Sequence, residues 1–449
     1  MAFSKVLQRF IDQRPVCVLT RVVLENQFGA ARLNEIFEET ARNQYSKNLL
    51  FSTCAELLCQ VTLCGQPSVH AAFKDAKEQI PVSVVALYGK LQRVEPVVCE
   101  ALVERTAEPL PELLTRLQAT RTQPVPGYYL RIVDGNTLAA SEHRLQELRG
   151  TNTAALPGRT LAVYDYATEL ITGLVACENG HTNERKLVPA LLQRIKADDL
   201  VLADRLYATL DFICGVIERQ AAFLIRHASL KLEWLGTRRR AGRCRTGVLF
   251  QQDVRLTNGL VCRAIVIQRD QPLRDGGRRV ILLTNVPRSR ASARKLAELY
   301  LKRWKIEEAF RQLTQYLSCE VRTLGYPKAA LLAFSLAVIA YNCLACVRGA
   351  LASVHGRDKV DAELSAFYVA KEVKLCFDGM QVAVPDRQWV VFGRLDAESL
   401  AGVLHAIAGH VRWARYTKAP RGPKKSPARR RVKHRHVATS DLLAARRNQ

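Results

Sequence analysis

Residues 199–227 read DLVLADRLYATLDFICGVIERQAAFLIRH. DLVLAD and AAFLIRH are short apolar runs with the length of buried strands, and between them LYATLDFICGVIERQ repeats its apolar residues at three and four residue spacing. Strand, helix and strand in that order make an α/β unit. Asp204 closes the first run, and strand ends are where ligand sites collect in such sheets.

Upstream, GYYLRIVDGN, RTLAVYDY and ITGLVACENG are three β-rich runs separated by Gly, Asn and Pro, followed by the helical NERKLVPALLQRIKA. The order β-β-β-α-β-α-β predicts a mixed sheet, with Asp134 ending the strand LRIVD. Downstream, VLFQQDVRLTNGLVCRAIVIQR and RRVILLTNVP follow a basic loop, GTRRRAGRCRTG, so residues 228–286 read as an all-β insertion or an extension of the sheet. One long helix is then expected over SRASARKLAELYLKRWKIEEAFRQLTQYL, capped by Ser289 or Ser292.

The flanks differ in kind. Residues 1–110 show helical periodicity throughout, with Ser83 as a cap, and read as a helical domain that either supports the rest or binds DNA. The stretch 111–355 is the catalytic-type domain, 356–411 is a C-terminal helical region, and 412–449 is a basic tail. From Arg412 to Arg435 the tail carries eleven Lys/Arg, three prolines and no acid, a composition that buries no core and predicts disorder.

The formal net charge of +25 over 449 residues points to a polyanionic partner, nucleic acid before a membrane surface. Thirteen cysteines scattered through apolar runs predict a reducing, cytoplasmic setting, and Cys343 and Cys346 read as packing and not as a zinc pair. The N-terminus has no signal-peptide core. AALLAFSLAVIAYNCLACV, residues 329–347, is interrupted by Ser335, Tyr341 and Asn342, which makes it a buried core helix and no membrane span.

On a helix with about 100° per residue, Tyr300, Arg303, Glu307 and Thr314 share one face. Glu307 would then join Asp134 and Asp204 as a third acid. Three carboxylates in a low-dielectric site repel one another unless cations neutralise them. Hard oxygen donors with open positions suit Mg²⁺ or Mn²⁺, and two such ions support in-line phosphoryl displacement. Asp134 or Asp204 alone also reads as a turn or cap residue, and the face of Arg303 and Glu307 as a surface ion pair.

RIVDGNTL, LVLADRLY and YLKRWKIEEAF resemble, in order and context, the three acidic motifs of bacterial insertion-sequence transposases of the DDE superfamily. More narrowly they resemble the group with a Tyr-x2-Arg-x3-Glu-x6-Lys signature and a β insertion before the last acid. Tyr300, Arg303 and Glu307 match that spacing, over a resemblance running from about 125 to 350. It implies a ribonuclease H-like α/β fold, two Mg²⁺ or Mn²⁺ ions on Asp134, Asp204 and Glu307, and cut-and-paste transposition at terminal inverted repeats through a DNA hairpin. The implied partners are transposon-end and target DNA, a second protomer in the DNA complex, and the bacterial nucleoid.

Where the signature has Lys this chain has Thr314, so a phosphate contact is either missing or supplied by Arg311, one turn after Glu307. Arg303 and Tyr300 are expected at phosphates, and Trp304 in core packing or stacked on DNA, packing being the first expectation. Trp234 and the arginines of RRRAGRCR are a second DNA-facing candidate. Two alternatives remain: a decayed or repurposed transposase that binds DNA without cutting it, and a basic regulator whose acids only cap turns.

Overall fold

The computed structural model describes residues 4–419 and 445 except 45–47, 64, 139–157, 181, 274–275, 322–323 and 325. The expected strand order is present. The first five strands are β1 (Tyr129–Leu138), β2 (Gly158–Asp165), β3 (Ile171–Cys177), β4 (Asp199–Ala203) and β5 (Ala222–Arg226). They continue without a break into β6 (Leu232–Cys244), β7 (Gly247–Leu256), β8 (Val261–Arg269) and β9 (Arg279–Thr284). All nine form one sheet in the order β3-β2-β1-β4-β5-β9-β8-β7-β6. Pairs β1–β4 and β4–β5 are parallel and the others antiparallel, which makes the sheet mixed.

Of the two readings of 228–286, the sheet extension is the one observed, because β9 pairs with β5 through Leu224 opposite Thr284 and Arg226 opposite Leu282. The basic stretch expected as a loop is instead strand β6, the outer edge of the sheet. Arg239 faces Gln251 and Arg243 faces Val248, with irregularities between 235 and 239 and between 240 and 242, where Gly236 and Gly242 adopt positive φ. Its arginines are exposed, and charge on an edge strand blunts unwanted strand pairing.

Period-two alternation supplies a core on each face of the sheet. Leu130, Ile132, Leu200 and Leu202 point to one side, against the helices Trp304–Tyr316 and Pro327–His355. Val133, Val201 and Ala203 point to the other, with Val188, Phe212 and Val216. The helix Pro327–His355 is apolar all round. Among the described residues it is the one helix long and apolar enough to cross a membrane, yet 89% of its apolar window is buried. Such a helix needs neighbours on every side, and it packs against Pro15–Phe28, Phe51–Thr62, Pro96–Ala107 and Ala397–Ala408. The helical segments 1–110 and 356–411, separate in sequence, therefore share one core around it. Cys343 and Cys346 lie fully inside, where burial pushes the Cys346 thiol up to about 12.

Two further expectations are corrected. The single helix over 289–317 is two helices, Ala293–Tyr300 and Trp304–Tyr316, joined by a 3₁₀ turn at Leu301–Arg303. Ser292, not Ser289, caps the first by accepting from the Lys295 N–H. The tail does not begin at Arg412, because Arg412–Lys418 pack onto the body. Trp413 Nε1 donates to Glu363 at 2.6 Å, Thr417 bridges to Leu364, and Lys418 Nζ donates to the Asp361 and Ala362 carbonyls. Residues 420–444 and 446–449, the remainder of the expected tail, lie outside the described residues.

Candidate active site

Asp134 does not end its strand. β1 runs on to Leu138 beside β2, but its pairing with β4 stops at Ile132 opposite Leu202. The site opens where β1 and β4 part, and Asp134 stands at that fork. Asp204 follows β4 directly and caps the 3₁₀ turn Arg205–Tyr207, its Oδ1 accepting from the Leu206 N–H at 2.6 Å. It is therefore a cap residue as well as a site residue, with one oxygen engaged locally. Glu307 lies in the first turn of the helix Trp304–Tyr316, which crosses β1.

Arg303 joins two of these acids. Its Nη1 lies 3.1 Å from Asp134 Oδ2 and its Nη2 lies 2.6 Å from Glu307 Oε1, with the arginine side chain 12% exposed. The 3₁₀ turn makes this possible by tightening the chain just before Trp304, so that the guanidinium reaches the strand and the helix together. Burial lifts the Asp134 carboxyl to about 6, and the charges of Asp204 and Glu307 add to that, against the pull of Arg303 and the Gly135 N–H. Asp134 thus senses both other carboxylates, though burial is the main cause of its rise.

Residues 126–343 match the family model described as Transposase DDE domain. That stretch is similar to a transposase DDE domain. It contains all three acids, the whole sheet and the start of the buried helix. No match to a curated relative is found.

Within that stretch the other candidates divide. Tyr300 is partly buried beside Arg303 and Asp204, its phenol pushed up to about 12 by burial while Arg303 pulls the other way. Trp304 is 62% exposed, which overturns the expectation of core packing, and its ring lies 5.2 Å from the Arg303 guanidinium. Arg311 is not with the acids. It pairs with Glu308 and donates to Gln315 at 2.6 Å, lining a cavity of about 480 Å³ together with Glu308 and Gln312. One turn of helix carried Arg311 toward Glu307 in the sequence reading; the ion pair to Glu308 turns it away. Thr314 bonds back to the Phe310 carbonyl at 3.1 Å and brings no charge. Trp234 packs beside the second core under Arg279, at 5.4 Å, so it belongs to the sheet extension and not to the acids.

The donor set suits a hard divalent cation: three carboxylates, one of them raised by burial, with an arginine standing as a cation between two of them. As placed, no three His, Cys, Asp or Glu among the described residues form a ready metal-holding group, and the guanidinium wedged between Asp134 and Glu307 accounts for that spacing. The sequence reading missed Glu184, whose carboxylate lies 2.6 Å from where a Cβ on Gly135 would be. The signal was the glycine directly after Asp134.

Proposed function

We propose that the protein is a metal-dependent transposase that cuts DNA at the terminal inverted repeats of its mobile element and joins the freed ends to target DNA. The observation that supports this best is the meeting of Asp134 and Glu307 on Arg303, with Asp204 in electrostatic reach of Asp134, inside a stretch similar to a transposase DDE domain. These three carboxylates would hold Mg²⁺ or Mn²⁺. When bound, such ions lower the pKa of an attacking water and stabilise the leaving oxygen of an in-line displacement.

Arg303 has a second role in this reading. Released from Asp134 and Glu307, its planar fork suits two oxygens of one DNA phosphate. Tyr300 beside it offers a hydroxyl to the backbone, and exposed Trp304 offers a face to an unstacked base. Two protomers would hold the paired ends. The hairpin step follows from the resemblance alone. Metal-dependent nicking of the DNA ends flanking the gene tests the reading; binding without nicking would favour the alternative, which Thr314 and the outward Arg311 support.

Arg303→Ala should lower cleavage by a factor on the order of ten to a thousand, since a charge-assisted contact is worth about 1.5–3 kcal/mol and positioning adds to it. Arg303→Lys should restore part of this in single-turnover nicking. Full restoration would mean that a point charge suffices and that the fork is irrelevant.

Removing residues 420–449, which leaves the packed Arg412–Lys418 in place, should weaken binding to all DNA and flatten its salt dependence. The segment holds ten Lys/Arg, and each phosphate neutralised contributes about 0.9 to the logarithmic salt slope. Affinities for end DNA and unrelated DNA at several salt concentrations check this, and an unchanged slope would exclude the segment from the interface.

A further inference from the structure

Glu184 opens the 3₁₀ turn Glu184–Leu187, which the Asn183 side chain caps by accepting from the Arg185 N–H at 3.0 Å. The turn aims the glutamate at β1. Its carboxylate fills the space a side chain at 135 would need, with Oε2 2.6 Å from that position, and it is 17% exposed. Gly135 has no positive φ, so a glycine is required there for room and not for backbone shape. Arg159 on β2 approaches Glu184 at 3.5 Å, too far for a tight pair. Burial raises the Glu184 carboxyl, Arg159 pulls it down and the charge of Asp204 adds to the rise, which places the two acids within electrostatic reach.

Tyr207 is the second observation. Its ring is 2% exposed and packs 5.3 Å from Phe212, while its hydroxyl has no hydrogen-bond partner. Burial pushes its phenol up, the charges of Glu184, Asp134 and Asp204 add to that, and Arg159 opposes them. The hydroxyl nonetheless lies near enough to Glu184 to pull that carboxyl's pKa down as a hydrogen-bond donor. A buried hydroxyl without a partner costs free energy, and among acids its natural partner is one more oxygen.

We propose that Glu184 is a fourth carboxylate of the active centre, a positioning residue that acts through Asp204 and the Asp134–Gly135 segment to strengthen the hold on a divalent cation, with the Tyr207 hydroxyl as its free donor. This rests on reading Asp134, Asp204 and Glu307 as cation ligands. Glu184 approaches from the sheet face opposite the helix of Glu307, so its charge adds to Asp204 without competing for Arg303. Groups behind the ligands set metal affinity by orienting them and raising their basicity.

The test is Mn²⁺ binding to the full chain without DNA, followed by electron paramagnetic resonance, together with thermal unfolding. Glu184→Gln should weaken Mn²⁺ binding about tenfold and leave the unfolding midpoint unchanged. Gly135→Ala should weaken it similarly by pushing the carboxylate away, and carries the test if the first variant does not fold. Tyr207→Phe should give a smaller loss. If Asp204→Asn weakens binding while Glu184→Gln and Gly135→Ala bind as the parent does, the fourth carboxylate is refuted and the three-acid reading stands. Should Asp204→Asn also bind as the parent does, both readings fall. A lowered midpoint with parental Mn²⁺ affinity would make Glu184 purely structural and overturn the proposal.

Discussion

Asp134→Asn, Asp204→Asn and Glu307→Gln should each reduce strand cleavage by at least about a thousandfold while affinity for end DNA stays near the parent's. The size follows from the role: each change removes a hard anionic donor from a set of three, and the stabilisation of attacking and leaving oxygens fails together. The fold should tolerate all three. Asn at 204 still accepts from the Leu206 N–H, as Asn is a good cap. Asn at 134 keeps its acceptor toward the Gly135 N–H, and Arg303 retains Glu307. Glu307→Gln leaves Arg303 on Asp134. Nicking measured beside DNA binding separates the two effects. Near-parental nicking by any one variant would remove that residue from the site and revive the view that the acids only serve turns.

The second large effect is on stability. Glu169 is 4% exposed and meets Arg121 at 3.0 Å, Lys305 at 3.4 Å, Arg348 at 3.0 Å and Arg357 at 2.5 Å. Asp361 shares three of these arginines. The Tyr341 hydroxyl also donates to the Glu169 carbonyl at 3.2 Å. One side chain thus ties the β2–β3 turn to the chain before β1, the glutamate helix and the buried helix with its successor. Removing one partner of buried ion pairs costs about 3–5 kcal/mol, because the remaining charges are left uncompensated. Glu169→Ala should lose about that much in urea unfolding, and weaken cleavage too, since Lys305 sits two residues before Glu307.

A finer comparison isolates the charge. Glu169 has φ +61°, a left-handed conformation that non-glycine residues adopt at a cost. Glu169→Gly should therefore be less destabilised than Glu169→Ala by about 1 kcal/mol, after allowing for the freer unfolded chain. If the two are equally unstable, the backbone contributes nothing at this turn.

The same cluster sets a pH dependence. Burial pushes the Glu169 carboxyl up, but Arg348 and Arg121, with Lys305 and Arg357, outweigh it and hold its pKa below the ordinary 4.5. Asp361 is likewise held below 3.8, its burial outweighed chiefly by Arg348. A depressed folded-state pKa stabilises the protein above the unfolded value, and that stability is lost as pH falls through the folded one. Parental stability should drop below about pH 4.5, with a shallower acid limb in Glu169→Ala.

Local rules carried much of this protein. Strand order, the mixed sheet, the buried apolar helix and the place of Asp204 at the end of its strand are all written in periodicity and turn residues, which act over a few neighbours. Where the outcome depends on residues far apart in the chain, the sequence was silent or misleading. Periodicity drew one helix through 289–317, whereas the chain tightens into a 3₁₀ turn at Leu301–Arg303, beside a contact from Arg303 to an aspartate 169 residues away. The arginines of 238–243 read as loop until β7 offered them a ladder. Arg311 chose Glu308 over the face of Glu307, a matter of rotamer and neighbour that spacing does not encode. Glu184 and Glu169 carry no local mark of their importance. Their weight comes from burial beside charges brought in by other segments, and the energy of a charge depends on distance and dielectric, quantities that exist only once the chain has folded.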